Sequence, residues 1–206
     1  MEKPDKKTSI LTVSETLFSE LGYEGTSTRQ IAKEAGVNMA MINYYFGSKE
    51  GVFMEIMNQR LTGFKAQLIS ISEEPISHME KLVRVVDSYS RRVLCNVSFH
   101  RMMHRELSLA QRPELWEKLK IAMNENLMVI DKIVNEGIAD GTFRKVDVRM
   151  LIATIMGTIS YVVTSPSKLT PDSSLDITKP KDKEILTKRL SVHLQDLVKT
   201  YLTPNK

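Results

Sequence analysis

The sequence predicts an all-α protein of about nine helices, with a three-helix N-terminal domain built on a helix-turn-helix and a larger helical domain after it. Three observations carry that prediction. Apolar residues recur at spacings of three and four through most of the chain. Caps and breakers (Ser, Asn, Asp, Gly, Pro) fall where those periodic segments end. Residues 27–47 hold two short helical segments joined at Gly36, each with its own capping residue.

Taken in order, residues 8–21 place Ile10, Leu11, Leu17, Phe18 and Leu21 at helical spacing, with Gly22 as the helix end. Ser27 opens a short second helix, where its hydroxyl can accept a free backbone N–H and Gln30 can complete a capping box. Ile31 and Ala35 share a face, and Ala32 leaves room for a crossing helix. Gly36 turns the chain, Val37 drops inward, and Asn38 caps a third helix with Ile42 and Phe46 inside. Ser48 caps a long fourth helix to about Ser70, its stripe being Val52, Phe53, Ile56 and Met57. Glu73, Glu74 and Pro75 read as the acidic, proline-led start of a fifth, which carries Leu82, Val85, Val86, Tyr89 and Val93 inward. Asn96 to Ser98 break it. Phe99, Met102, Met103 and Leu107 define a sixth helix ending near Gln111, with Arg112 and Pro113 as boundary. The seventh, Pro113 to Ala139, carries Leu115, Leu119, Ala122, Met123, Leu127, Ile130 and Val134, and closes at Asp140 and Gly141. Asp147 caps an eighth through Val163. Ser165 to Lys183, with Pro166, Pro171 and Pro180, reads as a long loop, and a ninth helix runs from about Asp182 to Leu202.

The pair of short helices is the segment with chemical content. Its second helix turns Met39, Ala40, Asn43 and Tyr44 outward, which is how a reading helix is presented to a DNA groove. The run GYEGTSTRQIAKEAGVNMAMINYYFGSKEGVF, followed by about 150 further residues, resembles the TetR/AcrR family of bacterial transcriptional regulators, closely over residues 8–55. That resemblance implies a homodimer whose N-terminal domains (residues 1–52) read a pseudo-palindromic DNA operator. Its C-terminal domains (residues 53–206) would bind a small-molecule effector that releases the DNA, most often as a repressor. Carried over by position, Ser27, Thr28 and Lys49 would meet phosphate and Arg29 a base edge. Asn38, Met39, Ala40, Asn43, Tyr44 and Tyr45 would form the recognition helix and its flanks. Arg29 can pair with guanine, Asn43 with adenine or phosphate, and Met39 or Ala40 can pack on a thymine methyl. Tyr44 and Tyr45 suit the DNA backbone. Met39 and Asn43 depart from the family pattern, where a polar or basic residue and an aromatic are common.

Charge adds little to this. The net charge is +4, yet residues 1–63 hold 7 Lys and Arg against 8 Asp and Glu, a net of −1. Phosphate attraction must therefore be local: Arg29, Lys33, Lys49, helix N-termini, and an N-terminal arm with Lys3, Lys6 and Lys7.

Ligand and partner residues are read from the downstream helices. Tyr89, Phe99, Met103, His104, Trp116, Met123, Leu127, Met156 and Tyr161 could line an adaptable apolar cavity, or simply fill the core. Ala153, Gly157 and Tyr161 recur every four residues and offer a close-packing face. With Leu190, Leu194 and Leu197 on the last helix they form the candidate dimer interface. Two other function classes remain on the residues alone: a metal-dependent enzyme using His100 and His104, and a helical interaction protein with a non-functional helix-turn-helix. His100 and His104 are four apart, but Arg101 stands where the HExxH glutamate would be, and no nucleophile elbow, phosphate loop or dinucleotide fingerprint occurs. The expectation is a non-enzyme without cofactor or metal. No apolar run is long enough to span a membrane, and the single cysteine, Cys95, suits a reducing cytoplasm.

Overall fold

The computed structural model describes residues 5–109, 113–165 and 175–204, with the side chains of 107–109 and 113–115 outside the description. The expectations placed on Lys3, Gln111, Arg112, Pro166 and Pro171, and on the side chains of Leu107 and Leu115, fall outside it too. The described residues form nine α-helices and no strand: α1 (Lys6–Gly25), α2 (Thr28–Glu34), α3 (Met39–Phe46), α4 (Lys49–Glu73), α5 (His78–Cys95), α6 (Val97–Leu109), α7 (Pro113–Ala139), α8 (Val148–Thr164) and α9 (Pro180–Leu202).

Local chemistry accounts for most ends. Ser27 Oγ accepts from Gln30 N at 3.1 Å, Asn38 Oδ1 from Met41 N at 2.9 Å, and Asp147 Oδ1 from Met150 N at 3.1 Å. Each satisfies a first-turn N–H that the helix itself cannot. At the α2–α3 turn Gly36 has φ +64°, and Val37 N donates to Ala32 O at 2.9 Å while Gly36 N donates to Lys33 O at 3.2 Å. That doubly bonded left-handed exit suits a residue without Cβ.

Three ends differ from the sequence reading. Gly22 does not end α1 but breaks it internally, at φ +80° and ψ +170°. The fifth helix starts not at Glu73–Pro75 but at His78, because Ser77 and Glu80 form a reciprocal capping box. Pro180, assigned to the loop, opens α9 at a position where a missing N–H costs nothing. Lys6 and Lys7, placed in a flexible arm, sit in the first turn of α1, and Lys7 pairs with Glu55 at 3.5 Å.

The chain packs as two compact units, Met1–Gly63 with Ser98–Met123, and Phe64–Val97 with Asn124–Lys206. Helices α4 and α7 each contribute to both. The core of the first unit joins α1 to α4 with α6 and the start of α7, through Ile10, Phe18, Ile31, Ile42, Phe53 and Trp116 among others. Phe18, Tyr23 and Phe53 form an aromatic triangle with centroids 5.2–5.5 Å apart, a spacing typical of favourable ring pairs.

The core of the second unit is almost wholly aliphatic, and Leu82, Val86, Leu94, Val134, Ile159, Leu194 and Val198 lie at its centre. One polar tie crosses it: Ser191 Oγ donates to Asp87 Oδ1 at 2.6 Å and Arg91 Nε to Asp87 Oδ2 at 2.8 Å. Burial alone would raise the Asp87 carboxyl, but the hydrogen bonds from Arg91 and Ser191 hold it below the usual range. The stripe of α9 that faces this core is Leu186, Leu190, Leu194, Val198 and Leu202. Leu194→Ala is expected to cost about 2–5 kcal/mol in urea unfolding, since the side chain is fully buried and its loss leaves a cavity.

Candidate nucleic-acid interface

The cap–turn–cap geometry just described presents α3 as an amphipathic segment. Ile42 is fully buried, and Phe46 packs against the core. On the other side Met39 is 46% exposed and Tyr44 82%, with Ala40 and Asn43 exposed between them. An aromatic residue that exposed, beside a methionine and a carboxamide, is an unusual solvent face, since single large apolar side chains of that kind mark contact surfaces when they cluster. The face offers a hydrogen-bonding amide, two apolar contacts for thymine methyl groups, and a phenol that can reach a phosphate. Tyr45 lies half-buried, edge-on to Tyr44 with centroids 5.2 Å apart, so it braces the exposed ring.

The other residues expected at DNA fall into two groups. Arg29 is exposed on α2. Ser27, Thr28 and Asn38 sit at helix starts, the Ser27 and Asn38 oxygens already engaged in capping. Lys49 is placed differently from the expectation of an outward phosphate contact. Its ammonium donates to Tyr23 O at 2.9 Å and Thr26 O at 3.0 Å, and lies 4.1 Å from the centroid of the Tyr23 ring. An ammonium has three donors and two are spent on carbonyls of the α1–α2 link. The geometry therefore gives Lys49 a fastening role that its position in the motif did not reveal.

The residues expected to line a ligand cavity do not come together in one unit. Phe99 and Trp116 are 3% and 4% exposed in the core of the first unit, with Trp116 edge-on to Phe53, and Met103 packs against the same core. Their spacing signalled burial, and burial is what they supply. His104 is half-buried on α6, where burial lowers its basicity, and Met123 ends the stretch of α7 in that unit. Tyr89, Leu127 and Met156 instead flank the aliphatic core of the second unit. Although Tyr89 keeps some surface, burial pushes its phenol up to about 12. His100 is buried against Phe99, ring centroids 5.5 Å apart. Among the described residues no three His, Cys, Asp or Glu side chains are grouped to hold a metal ion.

The candidate dimer residues also separate. Ala153, Gly157 and Tyr161 all lie on the exposed face of α8, Tyr161 at 46%. Leu190 and Leu194, by contrast, are 4% and 0% exposed inside their own subunit and Leu197 is half-buried, so α9 instead shows Ile185 and Val192 outward, 53% and 59% exposed. A stripe at spacing four cannot by itself tell an intrasubunit core from an intersubunit one.

Comparison with known proteins places this architecture in a class. Residues 10–56 match the family described as bacterial regulatory proteins, tetR family, and residues 46–186 match the family described as YsiA-like protein, C-terminal region. The chain belongs to the TetR/AcrR family of transcriptional regulators, whose members are regulators and not enzymes. Within it, the chain is 27% identical over 165 residues, 80% of its length and 84% of the relative's, to the fatty acid metabolism regulator protein of Bacillus subtilis strain 168. Its fold is that of FadR from Bacillus subtilis, solved in complex with stearoyl-CoA, with a TM-score of 0.72, 24% identity and coverage of 91% of this chain and 96% of that one. The ketosteroid regulator KstR2 of Mycobacterium tuberculosis shares the fold over 99% of this chain and 98% of its own, with a TM-score of 0.75 at 18% identity. No helix among the described residues is long and apolar enough to cross a membrane.

Two measurements check the placements. Lys49→Ala is expected to lower stability in the absence of DNA by about 1–3 kcal/mol, because two carbonyls lose a charged donor; a lysine serving phosphate alone would leave the unfolding midpoint unchanged. In an alkaline absorbance titration one phenol is expected to ionise only near pH 12 and to vanish in Tyr89→Phe. Its folded value lies above its ordinary value of 10.0, so the stability it contributes is complete below that pH and lost as pH rises towards about 12.

Proposed function

We propose that the protein is a homodimeric repressor of fatty-acid metabolism genes, binding a pseudo-palindromic operator through α2 and α3 and released by a long-chain acyl-CoA. The observation that carries the DNA reading is the exposed face of α3, where Met39, Ala40, Asn43 and Tyr44 stand clear of the core beside a stable capped turn. Arg29 reads a base edge, while Ser27, Thr28, Asn38 and Tyr45 set the approach to the DNA backbone. The division of labour is residues 1–52 for DNA contact and 53–206 for effector and dimerisation, except that residues 53–63 and 98–123 complete the core of the DNA-reading unit, in a cytoplasmic protein.

The effector class rests on the relatives: the Bacillus subtilis regulator is named for fatty acid metabolism, and the FadR fold neighbour carries stearoyl-CoA. The second unit fits an acyl chain in character. Its interior is largely Leu, Ile and Val. Tyr89, Leu127 and Met156 are the ligand contacts retained from the sequence reading.

Two copies joined through the exposed α8 face of Ala153, Gly157 and Tyr161, with Ile185 and Val192 of α9, would hold their reading helices about one DNA turn apart, roughly 34 Å. An effector that prefers another spacing shifts the population away from the operator-binding form.

The test is selection of genomic fragments by the purified protein, followed by release. A palindrome is expected that Arg29→Ala and Asn43→Ala fail to enrich, and micromolar stearoyl-CoA is expected to free it while CoA alone does not. Failure to enrich any fragment at low salt would refute the DNA reading; enrichment insensitive to stearoyl-CoA would refute the effector. Tyr161→Asp is expected to yield monomers by light scattering and to lose operator binding with helicity intact.

A further inference from the structure

The break in α1 lies directly before the reading helices, and two neighbouring residues from far along the chain grip it. At Gly22 the backbone turns to φ +80°, so the following N–H, that of Tyr23, no longer points down the helix ladder. A buried donor without an acceptor is costly. Here Glu106 of α6, 83 residues away in sequence, brings its Oε1 to 3.5 Å from the Tyr23 nitrogen. Glu106 is only 4% exposed, a burial that a carboxylate tolerates only with partners. Its neighbour Arg105 approaches to 3.7 Å through Nε. The Arg105 guanidinium also covers Gly22 so closely that a Cβ at that position would collide with it. The backbone angle alone calls for glycine at residue 22, since the guanidinium above it is the far end of a flexible side chain.

The other side of the same link is held from α4. Thr26 Oγ1 closes on Gly22 O at 2.8 Å, and Lys49 draws the carbonyls of Tyr23 and Thr26 together. Ser27, the cap of α2, is the next residue. The five residues from Gly22 to Thr26 are therefore clamped between α4 and α6, all within the first unit.

We propose that Glu106 is a positioning residue for operator binding: as acceptor for the Tyr23 N–H it fixes the α1–α2 link from which the reading helices meet DNA, although it lies outside the helix-turn-helix. The proposal rests on the DNA reading above, and the experiment keeps the two apart. Operator affinity is measured with the palindrome selected by the unaltered protein, for Glu106→Ala and Glu106→Gln, with helicity followed by circular dichroism. Glu106→Ala is expected to bind about tenfold or more weakly, since it removes both the acceptor facing the Tyr23 N–H and the carboxylate beside Arg105. Glu106→Gln keeps an acceptor oxygen and is expected to stay within about threefold. Amide hydrogen exchange supplies the readout that does not depend on variants folding: the Tyr23 N–H is expected to be protected in the unaltered protein and in Glu106→Gln, and to exchange faster in Glu106→Ala. Unchanged affinity in Glu106→Ala, equal losses in both variants, or a Tyr23 amide that exchanges as freely as a surface amide in the unaltered protein would each overturn it. If the unaltered protein selects no DNA, the reading of the interface fails instead, and the exchange result still decides the contact.

Discussion

One ammonium group held against two backbone carbonyls turns a break in a helix into a fixed joint. Lys49 sits in the first turn of α4, and the carbonyls of Tyr23 and Thr26 belong to the end of α1 and the link to α2. Helix ends leave carbonyls without partners, and a cation there satisfies them and complements the negative end of the helix dipole. The Tyr23 ring beneath the ammonium adds a cation–π contact, and the same ring completes the triangle with Phe18 and Phe53. Charge, hydrogen bonding and aromatic packing thus converge on one point. The starting direction of α2, and through the Gly36 turn that of α3, depends on it.

The two units solve different problems. The first must hold an exposed, partly apolar face steady, and does so with aromatic rings and caps. The second is an aliphatic interior with few polar ties, of which Asp87 with Ser191 and Arg91 is the clearest. Rings and capped turns define a single geometry, whereas interdigitated Leu, Ile and Val side chains fill volume with little directional preference. That contrast suits the proposed division between a DNA-reading part and an effector-binding part.

Much of the fold was legible because its signals are local. Ser27, Asn38 and Asp147 act as caps where their residue types and positions suggested, and Asn96 separates α5 from α6. The Ser77–Glu80 box is equally local, but Pro75, two residues earlier, offers a competing start. What remained illegible is set by distant partners. Periodicity shows that Leu190, Leu194, Phe99 and Trp116 are buried but not against what, and only packing assigns the first two to their own subunit and the last two to the reading unit. Lys49 illustrates the same limit at the interface. Its place in the motif suggests DNA, but its partners lie 23 and 26 residues earlier.

The reading unit is discontinuous in sequence, since residues 98–123 complete a core begun by residues 1–63. During synthesis the ribosome therefore makes α1 to α4 well before it makes Phe99, Met102, Trp116 and Leu119, the side chains that close their core. At about 5–20 residues per second the emerging α1–α4 segment waits several seconds with Phe53 and its neighbours uncovered. The core around the helix-turn-helix is therefore completed only once residues 98–123 have been made.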